Sequence, residues 1–587
     1  MNKLLDWLDE RTGIRALMGE ALDEEVLGGA RVRYVFGSVL TYLFLQQVVL
    51  GILLATYYSP SATDAWASTA YIQDQVAGGW FLRGLHHHGS SAMVVVTLLH
   101  LMQVVLAGAY RAPREVNWWT GLAMGGLVLA FALTGYLLPW DQKGYWATQV
   151  ATGIMGTVPG GEPMQHALQG GDQYGNLTIT RFYALHVFVL PLTLAALLGA
   201  HLYLFRRHGV TPPAKLSEEE LKAKAQPFWP NQLFIDIAAM AVCGAILVGL
   251  TYETHGAELF APADPASNFV ARPEWYFLFL FQLLKYFEGP LSIIATVILP
   301  GAVATFLFAL PFVDRAESRQ AKKRGPVLAG VGLVMVGVIV LTALAIVEDA
   351  GNEKYQKGLI AAHEDAEKTR ELAKKGVPPA GGIAVWQNDP EFAAMELFKA
   401  NCSTCHAVDG KGGQEAPSLS HFNDREWLRG AVREPRSVAY FGGTKGHTDM
   451  EAYAKEDLPD EQLDAVIEYM IQLREQGEAE ADASTYDAAL AKKGQALWED
   501  ELECSGCHEV EKGADGVGTP VLWGRGTRAW IADVIRNSGQ AHLYGDNAEM
   551  PKFEGKLSEA DIDTLADYVY RQGWGKADAE AGEGDAH

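Results

Sequence analysis

Seven stretches of this 587-residue chain are each apolar over about the 20 residues needed to cross ~30 Å of hydrocarbon: 34–57, 88–109, 118–138, 184–204, 233–252, 292–312 and 327–347. They predict a polytopic helical bundle over the first 347 residues. A twelve-residue run, 276–287, is apolar but too short to cross; it follows Pro273-Glu-Trp-Tyr276 and is expected to be an interfacial helix. Lys and Arg accumulate in loops that stay inside. Segments 1–33, 110–117, 205–232 and 313–326 hold 17 of them, against 5 in 58–83, 139–183 and 253–292. The first thirty residues have no unbroken apolar core and no small-residue cleavage site, so no signal peptide is expected. The N-terminus is therefore expected in the cytoplasm, and everything after about residue 348 in the periplasm of a bacterial inner membrane.

Charge separates the halves. Of the net charge of −24, 22 negative charges fall after residue 347. Such a surface repels phosphates, which excludes nucleic acid as a partner.

Ionisable residues inside spans are costly and mark function. His86 and His100 bracket the second stretch, and His186 and His201 the fourth, at separations of 14 and 15 residues. Both stretches follow an odd-numbered crossing, so they run in the same direction and the histidines level up as His86 with His186 and His100 with His201. Each pair can clamp one haem iron, the two irons lying about 21 Å apart along the axis. A hydrogen bond to a neighbouring carbonyl is an equal reading for any single one, and four at matched depth favour iron. His87 and His88 are expected to face solvent or the helix end. Gly37 and Gly51 on the first stretch, and Gly121 and Gly135 on the third, are each 14 apart. Such glycines leave room for a macrocycle edge, with small-residue helix packing as the alternative.

Four of the five cysteines lie in Cys402-Ser-Thr-Cys405-His406 and Cys504-Ser-Gly-Cys507-His508. C-x-x-C-H attaches c-type haem: two thioethers plus an iron-binding His. A zinc half-site or redox pair could explain one copy; two copies at an offset of 102 residues read as a tandem repeat. Each follows a short amphipathic helix, 391–401 or 488–503, and precedes a loop methionine, Met450 or Met550, that can serve as axial thioether. Met470 is a weaker alternative to Met450. Thioether attachment also requires a compartment outside the reducing cytoplasm.

Arg83-Gly-Leu-His86 with His100, Gly135-Tyr-Leu-Leu-Pro-Trp-Asp-Gln-Lys-Gly-Tyr-Trp146, Thr180-Arg-Phe-Tyr-Ala-Leu-His186 and Pro273-Glu-Trp-Tyr276 resemble, in order, the motifs of cytochrome b of the bc and bf complexes. The resemblance covers about residues 30–315 and is closer to the bf type, with its four-helix and three-helix parts fused. Met550-Pro-Lys-Phe553 and the sequence after it resemble the sixth-ligand end of a class I cytochrome c. The resemblance implies an all-α fold, a seven-helix transmembrane cytochrome b bundle followed by two tandem class I cytochrome c domains. The expected parts are an N-terminal interfacial segment (1–33), a four-helix part with two b haems (34–232), a three-helix part (233–347) and a periplasmic linker (348–390), helical over 361–375 and broken at 376–382. Two c domains (391–480 and 481–574) and a disordered acidic tail (575–587) follow.

The resemblance also implies a quinol:cytochrome c oxidoreductase with two non-covalent haem b and two covalent haem c. Its outer quinol site would lie between Pro139–Trp146 and Pro-Glu-Trp-Tyr, with Glu274 as proton acceptor and Tyr136 and Tyr276 lining it; an acid at a helix N-terminus is the alternative for Glu274. Arg83 and Arg181 would balance haem propionates, or snorkel. Arg206 and Asp236 are candidates near an inner quinone site, or loop anchors. Bf-type proteins attach an extra inner haem through a Cys that would fall at 35; Val35 forbids that thioether, and Cys243 reads as a packing residue. Bifurcation would send one electron to a separate Rieske iron–sulfur subunit and the other through the b haems, coupled to proton translocation. The c domains would hand electrons to a downstream cytochrome c or oxidase, and the complex would be a homodimer. A haem-bearing membrane anchor for a dehydrogenase or reductase, without a Rieske partner, is the redox alternative; a proton-relaying transporter is the alternative outside redox chemistry.

Overall fold

The computed structural model describes residues 2–575 apart from 16–18, 20, 21, 23, 268, 288, 445–449, 478–484, 503, 517 and 518. The expected tail lies outside the described residues but for Gly575. The chain divides into two compact units, Met1–Val385 and Trp386–His587.

Seven helices of the first unit are long and apolar enough to cross a membrane: Val32–Ala55, Gly79–Ala107, Glu115–Leu137, Asn176–His208, Phe228–Glu253, Ile294–Val313 and Gly325–Gly351. Their outward faces are apolar, with Leu192, Phe234 and Leu333 all more than 70% exposed, a surface that suits lipid and not water. The short apolar helix Trp275–Leu284 packs on the seventh span, where Gln282 and Lys285 bond Glu348.

The two spans that carry the histidines run longest beyond their apolar stretches. The second starts at Gly79, after Gly78 in the left-handed region (φ 74°), so Arg83 and all three adjacent histidines lie inside it. His87 and His88 are therefore half-buried helix residues and not a helix end; His88 Nε2 lies 2.9 Å from Thr254 Oγ1. The fourth begins at Asn176 and is interrupted by a π turn, Leu185–Val189.

The loops joining the second to the third span and the sixth to the seventh share one end of the bundle, and a buried ion pair locks them. Arg324 donates to Asp314 at 2.7 Å with side-chain exposures of 0% and 1%. Tyr110 donates to the same carboxylate at 2.6 Å, and Arg324 also reaches the Val105 carbonyl at 2.8 Å. Burial alone would raise the Asp314 carboxyl, but the bonds from Tyr110 and Arg324 outweigh it and hold it below its usual range. Arg324→Met leaves that carboxylate buried and unpaired, and is expected to cost about 3–5 kcal/mol. Thermal inactivation of the purified protein checks this, with the double change Asp314→Leu/Arg324→Met recovering most of the loss.

The linker is less free than its sequence predicts. Asn352 accepts from the Tyr355 amide and starts a helix, Glu353–Lys374, directly after the seventh span. The glycine-proline break that follows is docked: the Gly382 amide donates to the Thr63 carbonyl at 3.2 Å, and a side chain on Gly381 would stand 2.5 Å from that same oxygen. Arg370 pairs with Asp74.

Among its described residues the regular elements of the second unit are helices, apart from one two-stranded turn, Ala407–Val408 with Lys411–Gly412, and an isolated bridge between Glu554 and Leu557. Pro390–Asn401 and Ala488–Ala496 are the two helices expected ahead of the C-x-x-C-H motifs, the second carried on by Leu497–Glu501. Two further helices, Arg425–Arg433 and Arg528–Asn537, occupy equivalent places in the repeats, capped by Asp424 and Thr527. Both repeats contribute to one core, in which Trp427 and Trp530 are repeat equivalents.

Candidate functional site

His86 and His186 come together across the bundle, and His100 lies close enough to His201 to feel its charge. The His86 and His186 ring centres are 6.3 Å apart. An imidazole nitrogen sits about 2 Å from a bound metal and about 1.1 Å from its own ring centre, so two imidazoles on opposite sides of one ion stand about 6.2 Å apart. Each of the four glycines singled out above faces one histidine: a methyl group on Gly51 would lie 3.4 Å from His86 Cε1, on Gly135 2.6 Å from His186, on Gly37 3.7 Å from His100 and on Gly121 3.4 Å from His201. The π turn at Leu185–Val189 contains His186 and absorbs the extra residue of the fourth span, which is why a 15-residue separation can match one of 14.

Two hydroxyls orient the rings on the fourth span. Thr134 Oγ1 donates to the Ala130 carbonyl at 2.8 Å, so it accepts from His186 Nδ1 at 3.1 Å. Thr120 Oγ1 likewise donates to Asn117 O at 2.9 Å and accepts from His201 Nδ1 at 3.1 Å. With Nδ1 protonated, each Nε2 keeps the lone pair that a metal needs. The sequence reading missed both threonines, yet each directly precedes a singled-out glycine and shares its 14-residue spacing.

The Pro139-Trp-Asp-Gln turn is clamped to residues 258–263. Trp140 takes a left-handed backbone (φ 51°), and Asp141 accepts from the Gly144 amide at 2.8 Å and the Phe260 amide at 3.1 Å. Burial raises the Asp141 carboxyl above its ordinary value, against the pull of those amides and of Arg83 and Lys143. The clamp gathers Lys143, Glu258 and Glu274: Lys143 Nζ is 3.1 Å from Glu258 and 3.4 Å from Glu274, and sits 5.9 Å above the Tyr136 ring. Burial works against the Lys143 ammonium, but the two carboxylates outweigh it and raise its pKa. Tyr276 is raised by burial and then by the charge of Glu274. Neither Glu258 nor its neighbour His363, on the linker helix, carries a sequence motif.

The arginines and the inner candidates are bonded within the protein. Arg83 donates to Gln73 at 2.8 Å and to the Ala257 and Glu258 carbonyls at 2.6 Å each. Arg181 bonds the Ala167 carbonyl, and Arg206 pairs with Glu24. Asp236 is 2% exposed and accepts from Ser38 and Gln232, both at 2.8 Å, which ties the fifth span to the first. Cys243 and Val35 pack in one apolar cluster between these spans.

In the second unit both C-x-x-C-H segments form the same turn: the His406 amide donates to the Cys402 carbonyl, and that of His508 to the Cys504 carbonyl, at 3.0 Å each. The imidazoles are held alike, His406 Nδ1 donating to Pro417 O at 2.8 Å and His508 Nδ1 to Pro520 O at 3.2 Å. Burial lowers both imidazoles, which suits neutral ligands with Nε2 free. Cys402, Cys405, Cys504 and Cys507 are unpaired thiols, and burial pushes that of Cys402 up to about 11. Met450 and Met550 pack against the common core. Met470 packs there too, and also against a second cluster that Cys504 borders.

Comparison with known proteins agrees with this architecture. Residues 91–266 match the family model cytochrome b(N-terminal)/b6/petB, and 262–359 match cytochrome b(C-terminal)/b6/petD. Residues 393–474 match cytochrome c, and 489–569 match cytochrome C oxidase, cbb3-type, subunit III. Cytochrome b6 of Synechococcus elongatus is 37% identical over 214 residues, which is 36% of this chain and all of that protein. That of Porphyra purpurea is 39% identical over the same shares. A chain of the solved "Hyperthermophilic respiratory Complex III" superposes with TM-score 0.53 and 27% identity over 63% of this chain and 97% of its own. A multi-pass bundle with paired histidines, extended by two C-x-x-C-H repeats, makes this chain a member of the cytochrome b/b6 family that carries cytochrome c domains at its C-terminal end.

Proposed function

We propose that the chain is the cytochrome b and c subunit of a quinol:cytochrome c oxidoreductase that oxidises quinol at an outer site and needs a separate Rieske iron–sulfur subunit. His86 with His186, and His100 with His201, would hold two haem b, with Gly51, Gly135, Gly37 and Gly121 leaving space for the ring edges. Cys402, Cys405 and His406 with Met450, and Cys504, Cys507 and His508 with Met550, would hold two haem c. Bound there, haem supplies iron that changes charge by one electron, so a two-electron quinol can divide its electrons between the Rieske subunit and the b pair. The observation that carries this reading is the fourfold meeting of glycine and histidine, which small-residue packing alone does not require.

Glu274 would take the quinol hydroxyl proton. Its side chain is 14% exposed, and the Lys143 ammonium beside it steadies the carboxylate that must be present before the proton arrives. Tyr136 and Tyr276 would line the same pocket. Arg83, held by carbonyls, would position the 257–258 segment as much as it balances a propionate. The N-terminus would be cytoplasmic and the c domains, 391–480 and 481–574, periplasmic. Their acidic surface would favour a basic patch on the downstream carrier.

Glu274→Gln is expected to lower kcat about 100-fold while the haem spectrum stays unchanged. The test of the whole reading is purification of the complex, identification of its subunits and a quinol:cytochrome c assay with an outer-site inhibitor. Inhibitor-sensitive turnover with a Rieske polypeptide present supports it. Co-purification with a dehydrogenase and no Rieske polypeptide would favour the membrane-anchor alternative.

A further inference from the structure

We infer that Lys143, Glu258 and His363 form an exit line that carries the quinol proton from Glu274 to the surface through the linker helix. The inference rests on the quinol-oxidising reading above. The four side chains touch in sequence: Glu274 to Lys143 at 3.4 Å, Lys143 to Glu258 Oε2 at 3.1 Å, and Glu258 Oε1 to His363 Nε2 at 2.8 Å. Side-chain exposure rises along the line, from 14% at Glu274 through 26% and 42% to 47% at His363.

The last contact holds a proton by its own geometry. His363 Nδ1 lies 2.8 Å from the Leu359 carbonyl, an acceptor only, so Nδ1 carries hydrogen. The neutral ring therefore turns a bare Nε2 lone pair towards a carboxylate oxygen at 2.8 Å. Two acceptors at that distance repel unless one proton lies between them, either on Glu258 or on the imidazole. The contact is a proton-loading site at the surface end.

Transfer balances without any further reagent. Protonated Glu274 gives its proton to Lys143 as Lys143 gives one to the Glu258 carboxylate, so Lys143 ends as the ammonium it began. The imidazolium has first released its resident proton to water, so Glu258 passes the new one to a bare His363 Nε2 and the imidazolium is restored. Other groups around the line are fixed in place. Arg83 bonds the Glu258 carbonyl from the second span, Asp141 caps the Gln142–Thr157 helix, Tyr136 lies under Lys143, and Tyr355 shares the linker helix with His363. The Phe260 ring covers one side of His363 at 5.2 Å between centres.

The test uses the intact purified complex and compares His363→Ala, His363→Gln and Glu258→Gln with the parent across pH 6 to 8.5. Expected is about a tenfold fall in kcat at pH 6 for all three, fading towards pH 8.5, with KM for quinol and the haem spectrum unchanged. Added imidazole should restore His363→Ala and leave Glu258→Gln slow. Parent-like pH profiles in the His363 variants, or a loss that imidazole does not reverse, would overturn the exit line. Glu274→Gln separates the two claims: inactive Glu274→Gln beside parent-like His363 variants removes only the exit line, whereas full activity in Glu274→Gln removes the quinol-oxidising reading beneath it.

Discussion

Replacing His186 by alanine is expected to leave the purified complex with one non-covalent haem in place of two, and to cut quinol oxidation at least about 100-fold. Four groups converge on this ring: the His86 imidazole at 6.3 Å, the Phe131 ring at 5.5 Å, the Thr134 hydroxyl at 3.1 Å and the backbone of Gly135. On the proposed reading, removing the imidazole would take away one of the two nitrogens that would hold the group, and the facing His86 could not supply the second. Gly135→Val tests the same site without touching a ligand, because a side chain there would run into His186 at 2.6 Å and fill the room for a ring edge. Thr134→Val should act more mildly, about 10- to 100-fold in haem retention, since it frees the ring to turn and lets the tautomer change. Pyridine haemochrome assay counts the haems. Two haem b per chain in His186→Ala would refute the pairing.

How much of this was written in the sequence depends on range. The seven spans were legible because about twenty apolar residues have few other uses, and their ends were not, because Arg83 and His86–His88 extend the second helix with polar residues that a hydropathy reading discounts. The approach of His86 to His186 was legible from helix direction and spacing. The mismatch of one residue between the two spans was not explained until the π turn at His186 came into view, since no local propensity marks such a turn. Helices Arg425–Arg433 and Arg528–Asn537 are nine and ten residues long, too short for a strong periodic signal. The Glu258–His363 contact joins residues 105 apart in a loop and a linker, and nothing in either segment announces the other. The same limit explains the docked linker, whose Gly376-Val-Pro-Pro reads as a free break until Thr63 accepts the Gly382 amide.

Exchanging Met550 for histidine is expected to lower the midpoint potential of one c haem by a sizeable part of the about 0.8 V range that axial ligands command, while both thioether bonds form as before. A thioether favours reduced iron, and a second imidazole withdraws that preference. The exchange suits this position, because Met550 lies in a loop packed on the common core, and its carbonyl is held by Ser538 Oγ at 3.0 Å, so the backbone need not move to present a new side chain. Met450→His should do the same to the other c haem. Met470→Leu should alter neither potential, since Met470 sits in a helix and packs against two apolar clusters. Redox titration of the three variants, with the mass of the haem-bearing chain as control for attachment, separates them. A shift in Met470→Leu with none in Met450→His would transfer the axial role to Met470 and turn the first repeat's iron towards the helix Asp460–Gln476.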